Sequence, residues 1–209
     1  MPFGIGALFD NTGYYVIDLE TNGMRPEIDK IIEIALVHVD EAGNIGRKWT
    51  TLVNPGEGID VGATHVHGIT LPMIKDAPRF EEIAPYVYQM FAGAPLVAHN
   101  TSFDVPFLTA ELQRAGLHTF GDPLPSIDTI TLAKKYLTLP HYKLGAIAEY
   151  LGIDLENAHC ALDDTVAAAE MFSHFIKEDK NLTFDAVEIA QNMVWDVPDD
   201  VPEPRILTR

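Results

Sequence analysis

Apolar and polar positions along the chain fall into two successive patterns. The first predicts strands. Tyr14–Leu19 is β-branched and aromatic and enters from Gly13, and Lys30–Val39 is an apolar stretch that ends at the turn-forming run Asp40-Glu41-Ala42-Gly43-Asn44. Gly46–Val53 follows, with Trp49, Thr50 and Thr51, and stops at Asn54-Pro55-Gly56. Consecutive strands, the later two joined by a short loop, predict an antiparallel meander.

The second pattern is helical. Phe80–Phe91 places Ile83, Val87, Met90 and Phe91 at helical spacing and ends near Gly93. Pro95–Ala98 is a short apolar strand of the kind buried between layers. Ser102–Ala115 reads as a helix closed by Gly116, with Pro106 tolerated in a first turn whose N–H groups have no helical partner. Ser126–Asp128 is a brief extended piece. Helices are predicted over Thr129–Leu137, Leu144–Leu151 and Cys160–Lys177, and an amphipathic segment over Phe184–Met193. The acidic, proline-containing stretch Trp195–Arg209 is expected to be flexible or to lie along a surface. A meander followed by alternating strands and helices predicts an α/β fold, a mixed sheet flanked by helices, with no internal repeat.

Composition narrows the function classes. A chain of 209 residues suits one domain of ordinary size, and 47% apolar with 22% charged residues excludes disorder over most of it. No run of about 18 apolar residues is available to span a bilayer. Met1–Asp10 carries no Lys or Arg, so a secretory signal is not expected, and the cytoplasm is the expected compartment. The single cysteine, Cys160, rules out a disulfide framework and a Cys-rich zinc site. The charge, 14 − 31 = −17, argues against a broad basic face gripping duplexes. It leaves room for a nucleic-acid enzyme whose positive charge comes from bound metal ions.

Several acids are placed to face inward. Asp18 and Glu20, two apart on the first strand, share a face with Val16, while Ile17 and Leu19 point the other way. Adjacent carboxylates on a buried strand repel and lose hydration unless cations hold them. Alone, Asp-x-Glu describes a strand end reaching solvent equally well. Asp104 falls in the first turn of the helix after His99-Asn100, where an acid also complements the helix dipole. Asp164 lies on one helical stripe with Ala161, Ala168, Met171 and Phe175, whereas Asp163 lies with Ala167, Glu170, His174 and Lys177. Asp164 is therefore expected to face the core and Asp163 water, and the alanines let the helix approach the sheet. Within one helix His159 and Asp164 would stand about 140° apart. A position for His159 in the loop or cap before the helix lets it reach the same site and act as a general base.

These residues, Asp18-x-Glu20, Asp104 within His-Asn-x-x-Phe-Asp, and His159-x-x-x-x-Asp164, resemble the DEDDh group of 3′–5′ exonucleases, which includes the proofreading epsilon subunit of bacterial DNA polymerase III. Asp18–Met24, Val66-His-Gly-Ile-Thr70, Ile127-Asp-Thr129 and the segment from Lys143 to Gly152 are similar to further elements of that group, and the likeness runs from about Tyr14 to Phe175. A sister group carries tyrosine where this chain has Cys160, so only the histidine version fits. Asn22 and Arg25 depart from the usual pattern.

The resemblance implies a ribonuclease H-like, mixed five-stranded sheet flanked by helices. It implies an exonuclease domain over residues 14–178, preceded by an extension (1–13) and followed by a helix and tail (179–209). Asp18, Glu20, Asp104 and Asp164 would hold two Mg²⁺ or Mn²⁺ ions, hard cations that oxygen ligands favour, and His159 would deprotonate the attacking water. Thr21, Gly23 and Met24 would hold the terminal nucleotide. Met24 and Phe103 would offer apolar surface to the last base, with His67 and Asn100 as further contacts, although ordinary packing, loop and capping roles suit these residues equally well. The implied partners are single-stranded 3′ ends, DNA favoured over RNA, and a DNA polymerase subunit that tethers a weakly binding, acidic enzyme. RNA ends, or a binding module without turnover, are the alternative readings; a Cys160 nucleophile is disfavoured because Cys160 fits a packed helix start.

Overall fold

A computed structural model of the protein describes residues 12–118, 123–155, 160–199 and 201–209. The meander is present as β1 (Tyr14–Thr21), β2 (Ile31–Val39) and β3 (Ile45–Leu52). Two short strands, β4 (Leu96–Ala98) and β5 (Ser126–Asp128), complete a five-stranded sheet in the order β3-β2-β1-β4-β5. β1 pairs antiparallel with β2 and parallel with β4, and β5 is parallel to β4. The mixed sheet expected from the sequence is therefore the observed one.

Period two divides β1 between two cores. Ile17 and Leu19 join a core built with α3 (Phe80–Phe91) and α4 (Thr101–Arg114), through Val87, Phe91, Leu108 and Leu112. Tyr14 and Val16 join the opposite core, with Ala168, Met171, Phe172 and Phe175 of α7 (Ala161–Glu178) and Ile147 of α6 (Leu144–Leu151). Each fully buried side chain of this size contributes roughly 1.5–3 kcal/mol. α5 (Thr129–Tyr136) follows β5 directly, and α8 (Asp185–Asn192) closes the helical part. No helix among the described residues is long and apolar enough to cross a membrane.

The structure corrects the sequence reading in several places. Two four-residue helices, α1 (Thr64–His67) and α2 (Leu71–Ile74), follow the meander, too short to carry a periodic signal. α4 begins at Thr101, so Pro106 is its sixth residue and lies beyond the first turn; Ser102 C=O forgoes its helical donor there. Ala167, expected on the wet side of α7, is fully buried, because α5 and α6 pack along the flank of that helix. Residues 193–199 and 201–209 lie along the fold, the second of the two courses expected for the tail. Trp195 packs its ring 5.5 Å from Tyr88 and 5.7 Å from Phe91. Leu207 covers the outer edge of β3, accepting from Leu52 N–H at 2.7 Å and donating to Thr51 Oγ1 at 2.9 Å.

Candidate active site

Asp18 and Glu20 point from β1 to the face that α7 covers. The strand register sets Asp18 against Ala35 and Glu20 against Glu33. Ala35 is small, and Ala161 and Ala168 of α7 are buried against the sheet, so the first turn of α7 comes close to β1. As a result, carboxylate oxygens of Asp18, Glu20 and Asp164 all lie within 4.8 Å of one another. Asp104, 4% exposed, stands beside this trio from the first turn of α4. β4 ends at the residue paired with Ile17, and the next inward backbone N–H of β1, that of Leu19, is taken by the Asp104 carboxylate. The acids singled out in the sequence are thus brought together from three elements. His159 lies outside the described residues; Cys160, the next residue, is the cap position of α7.

Crowded acids with little water around them resist ionisation. Burial pushes Asp18 well above the usual carboxylate range, and the charges of Asp104, Asp164, Glu20 and Glu33 push it further. Burial, then Glu33, raises Glu20 to about 8, against a lowering pull from Arg209. Burial raises Asp104 to about 8 despite its backbone hydrogen bonds. Among the described residues, no ion pair involves Asp18, Glu20 or Asp104. Oxygen-only donors converging from three elements fit hard divalent ions such as Mg²⁺ or Mn²⁺.

A sign follows. Acids whose folded pKa is raised bind more protons in the native than in the unfolded chain between about pH 4 and pH 8, so stability falls as pH rises through that window. The metal-free protein is expected to lose Tm from about pH 5 to pH 9, at roughly 2–4 °C per kcal/mol. Mg²⁺ or Mn²⁺ should raise Tm more at the alkaline end, and Asp18→Asn should flatten the slope. A thermal scan across pH with and without the ion reads this; a flat metal-free profile contradicts it.

The loop after β1 is held by a network. Thr21 Oγ1 donates to Gly23 C=O at 2.6 Å, and Asn22 Oδ1 accepts from Lys30 N–H at 2.6 Å. A Cβ at Gly23 would lie 2.3 Å from the Asp29 carboxylate, which accepts the Arg25 N–H at 2.8 Å. Buried Glu111 of α4 anchors this loop by pairing with Lys30 at 3.7 Å, and Arg114 of the same helix donates to Pro26 C=O. Met24 is left 75% exposed. Phe103 is half-buried, its ring 5.0 Å from that of Phe107.

Asn100 adopts a left-handed backbone (φ 86) ahead of α4, and its side chain takes the Ser102 hydroxyl at 2.6 Å rather than capping the helix. The cap comes instead from Asp128, which accepts Thr101 N–H at 2.9 Å and Thr131 N–H at 2.7 Å, tying α4 to α5. His67 is 3% exposed; its Nε2 meets Val61 C=O at 3.1 Å and its Nδ1 accepts Ile69 N–H at 3.0 Å, so both ring nitrogens are engaged within the chain. His99 is engaged likewise, by Thr129 Oγ1 and Tyr142 C=O. Two polar residues to which the sequence reading gave no site role matter here. Asp128 stands at the end of β5, and Glu33 interrupts the run Ile31-Ile32-Glu33-Ile34, a buried acid whose position in an apolar strand was itself a signal.

Comparison with known proteins agrees with this geometry. The exonuclease family model RNase_T matches residues 15–172. The chain is 34% identical to the DNA polymerase III subunit epsilon of Treponema pallidum, over 81% of this chain and 79% of that protein. It is 32% identical to a PolC-type DNA polymerase III of Thermotoga petrophila, over 88% of this chain. It spans only 13% of the length of that polymerase. Among solved structures, exonuclease X in complex with 5′-overhanging duplex DNA superposes with TM-score 0.65 at 25% identity, covering 85% of this chain and 99% of that one. A nuclease domain described as a DEDDh family member, bound to rAMP, superposes with TM-score 0.68 at 22% identity over 81% of this chain and 94% of that one, a likeness of fold.

Proposed function

The chain belongs to the exonuclease family, and we propose that it hydrolyses the terminal phosphodiester at the 3′ end of single-stranded DNA, releasing nucleoside 5′-monophosphates. The convergence of Asp18, Glu20 and Asp164, with Asp104 beside them, carries this reading. These four carboxylates would hold two Mg²⁺ or Mn²⁺ ions. Bound there, the ions would polarise the phosphoryl group, offset its developing charge and make water more acidic.

The remaining work falls to the chain's own residues. The loop Thr21–Met24 holds the terminal nucleotide, its backbone set by the Thr21–Gly23 contact and anchored to α4 through Glu111. Exposed Met24 and the free edge of Phe103 offer apolar surface to the last base. Asn100 shapes the turn that delivers Asp104. His159 accepts the proton of the attacking water as its oxygen bonds to phosphorus. The bond from phosphorus to the 3′-oxygen of the penultimate nucleotide breaks, and the shortened strand leaves with a 3′-hydroxyl.

Similarity to epsilon and PolC-type polymerases supports DNA as the substrate and a DNA polymerase as partner. The charge budget supports a partner as well. At a net −17 the chain has no excess of positive charge with which to grip phosphates, and Arg25, Lys30, Lys75 and Arg79 are each engaged by an acid. Binding is expected to be weak and turnover of low processivity without a tether. Matched DNA and RNA strands in one reaction test the sugar preference. DNA should be shortened at least tenfold faster in kcat/KM, and equal or faster loss of RNA would overturn the DNA assignment.

A further inference from the structure

Glu33 carries a charge that the strand around it does not explain. It is 2% exposed, set in β2 directly across from Glu20, on the face that α7 covers. A buried carboxylate is tolerated only when its lone pairs and charge are met, and here two distant segments meet them. Arg209 grips it as a fork, Nε to Oε1 at 3.0 Å and Nη2 to Oε2 at 2.5 Å. Ala161, the first residue of α7, donates its backbone N–H to Oε2 at 3.1 Å. That N–H has no partner within its own helix, and Asp164 stands one turn further along. Arg209 is fixed in turn by Nη1, which donates to His67 C=O at 2.7 Å, in the loop whose shape His67 holds.

We propose that Glu33 and Arg209 are positioning residues for the carboxylate cluster, with Glu33 holding the α7 N-terminus so that Asp164 meets Asp18 and Glu20, and Arg209 supplying the charge and fork that keep Glu33 in place. Arg209 balances an acid next to the cluster without pairing with Asp18 or Glu20, which leaves the oxygens of those acids to a divalent ion. Arg209 is then part of the working site, delivered to it by the Leu207 contact along β3. The inference rests on the exonuclease reading of that cluster.

The test combines steady-state kinetics on single-stranded DNA with direct Mn²⁺ binding, followed by electron paramagnetic resonance on the protein alone. Arg209→Ala is expected to lower kcat and Mn²⁺ affinity by roughly 10–100-fold, the usual effect of losing a residue that orients metal ligands, with KM for DNA unchanged. Glu33→Gln keeps an oxygen for the Ala161 N–H and removes the charge Arg209 balances. The double variant Glu33→Gln/Arg209→Ala should therefore recover most of the loss. Should Arg209→Ala not fold, Arg209→Lys, which keeps the charge and loses the fork, should show a smaller fall in both readouts.

Unchanged kcat and Mn²⁺ affinity with only a lower Tm would overturn the proposal. So would a rise in KM alone, tighter Mn²⁺ binding in Arg209→Ala, or a double variant no better than the single one. A wild type that binds Mn²⁺ yet shortens no strand would sink the exonuclease reading, while the Mn²⁺ comparison would still decide the positioning role.

Discussion

Asp164→Ala is expected to leave a folded protein whose rate of 3′-end shortening is down by roughly 10³-fold, the effect of losing about 4 kcal/mol of charge stabilisation at the reacting phosphate. The reason is geometric. Asp164 supplies one side of a set of oxygens within 4.8 Å of one another, and Asp18 and Glu20, both from β1, cannot enclose an ion from that side alone. The fold should not suffer. Asp164 raises the pKa of both Asp18 and Glu20, so removing it relieves repulsion and should hold or raise the metal-free Tm. Asp163→Ala is the matched control: it removes the same charge from the same helical turn, and its rate should stay within about threefold of wild type, because Asp163 is not one of the converging acids. Single-turnover rates and a thermal scan of the two variants check both halves. A fall in Asp163→Ala as large as in Asp164→Ala would mean that helix charge, not ligand position, sets the rate.

His159→Ala carries the second large effect, a loss of about 10²–10⁴-fold in kcat, the range for removing a general base. The accompanying signature is in pH. An imidazole works as a base only when neutral, so wild-type kcat/KM should rise with pH until the ring has lost its proton and then level off. In His159→Ala the levelling-off that follows deprotonation of the imidazole should disappear, leaving a low residual rate that climbs with hydroxide throughout. Mn²⁺ binding should be retained, because His159 acts on the water proton and not as a ligand. The pH–rate profile of the variant, together with its Mn²⁺ titration, separates a base from a metal ligand.

How much of this was legible in the sequence follows from which signals are local. Strand alternation placed Asp18 and Glu20 on one face, and helical spacing placed Asp164 on the stripe of Ala161, Ala168, Met171 and Phe175, all now buried against the sheet. Both depend only on the period of one element. The motif order carried the family and, with it, the sheet. What failed to show depends on contacts between distant segments. An acid in an apolar run marks Glu33 in the sequence, but its role does not show there, because its partners, Ala161 and Arg209, lie 128 and 176 residues away. His67 looked available in a loop, and only the folded path of Val61 and Ile69 turned it inward. Asn100 had the composition of a cap, but its left-handed backbone gave that task to Asp128, from the neighbouring strand.

The most direct test of the central claim follows a single-stranded DNA labelled at its 5′ end, incubated with wild type or Asp164→Ala in Mg²⁺, in Mn²⁺ and in EDTA. The account predicts a ladder that shortens one nucleotide at a time from the 3′ end with either ion. The ladder should vanish in EDTA and in Asp164→Ala. Shortening that persists in EDTA or in the variant, or internal cuts in place of a ladder, would contradict it.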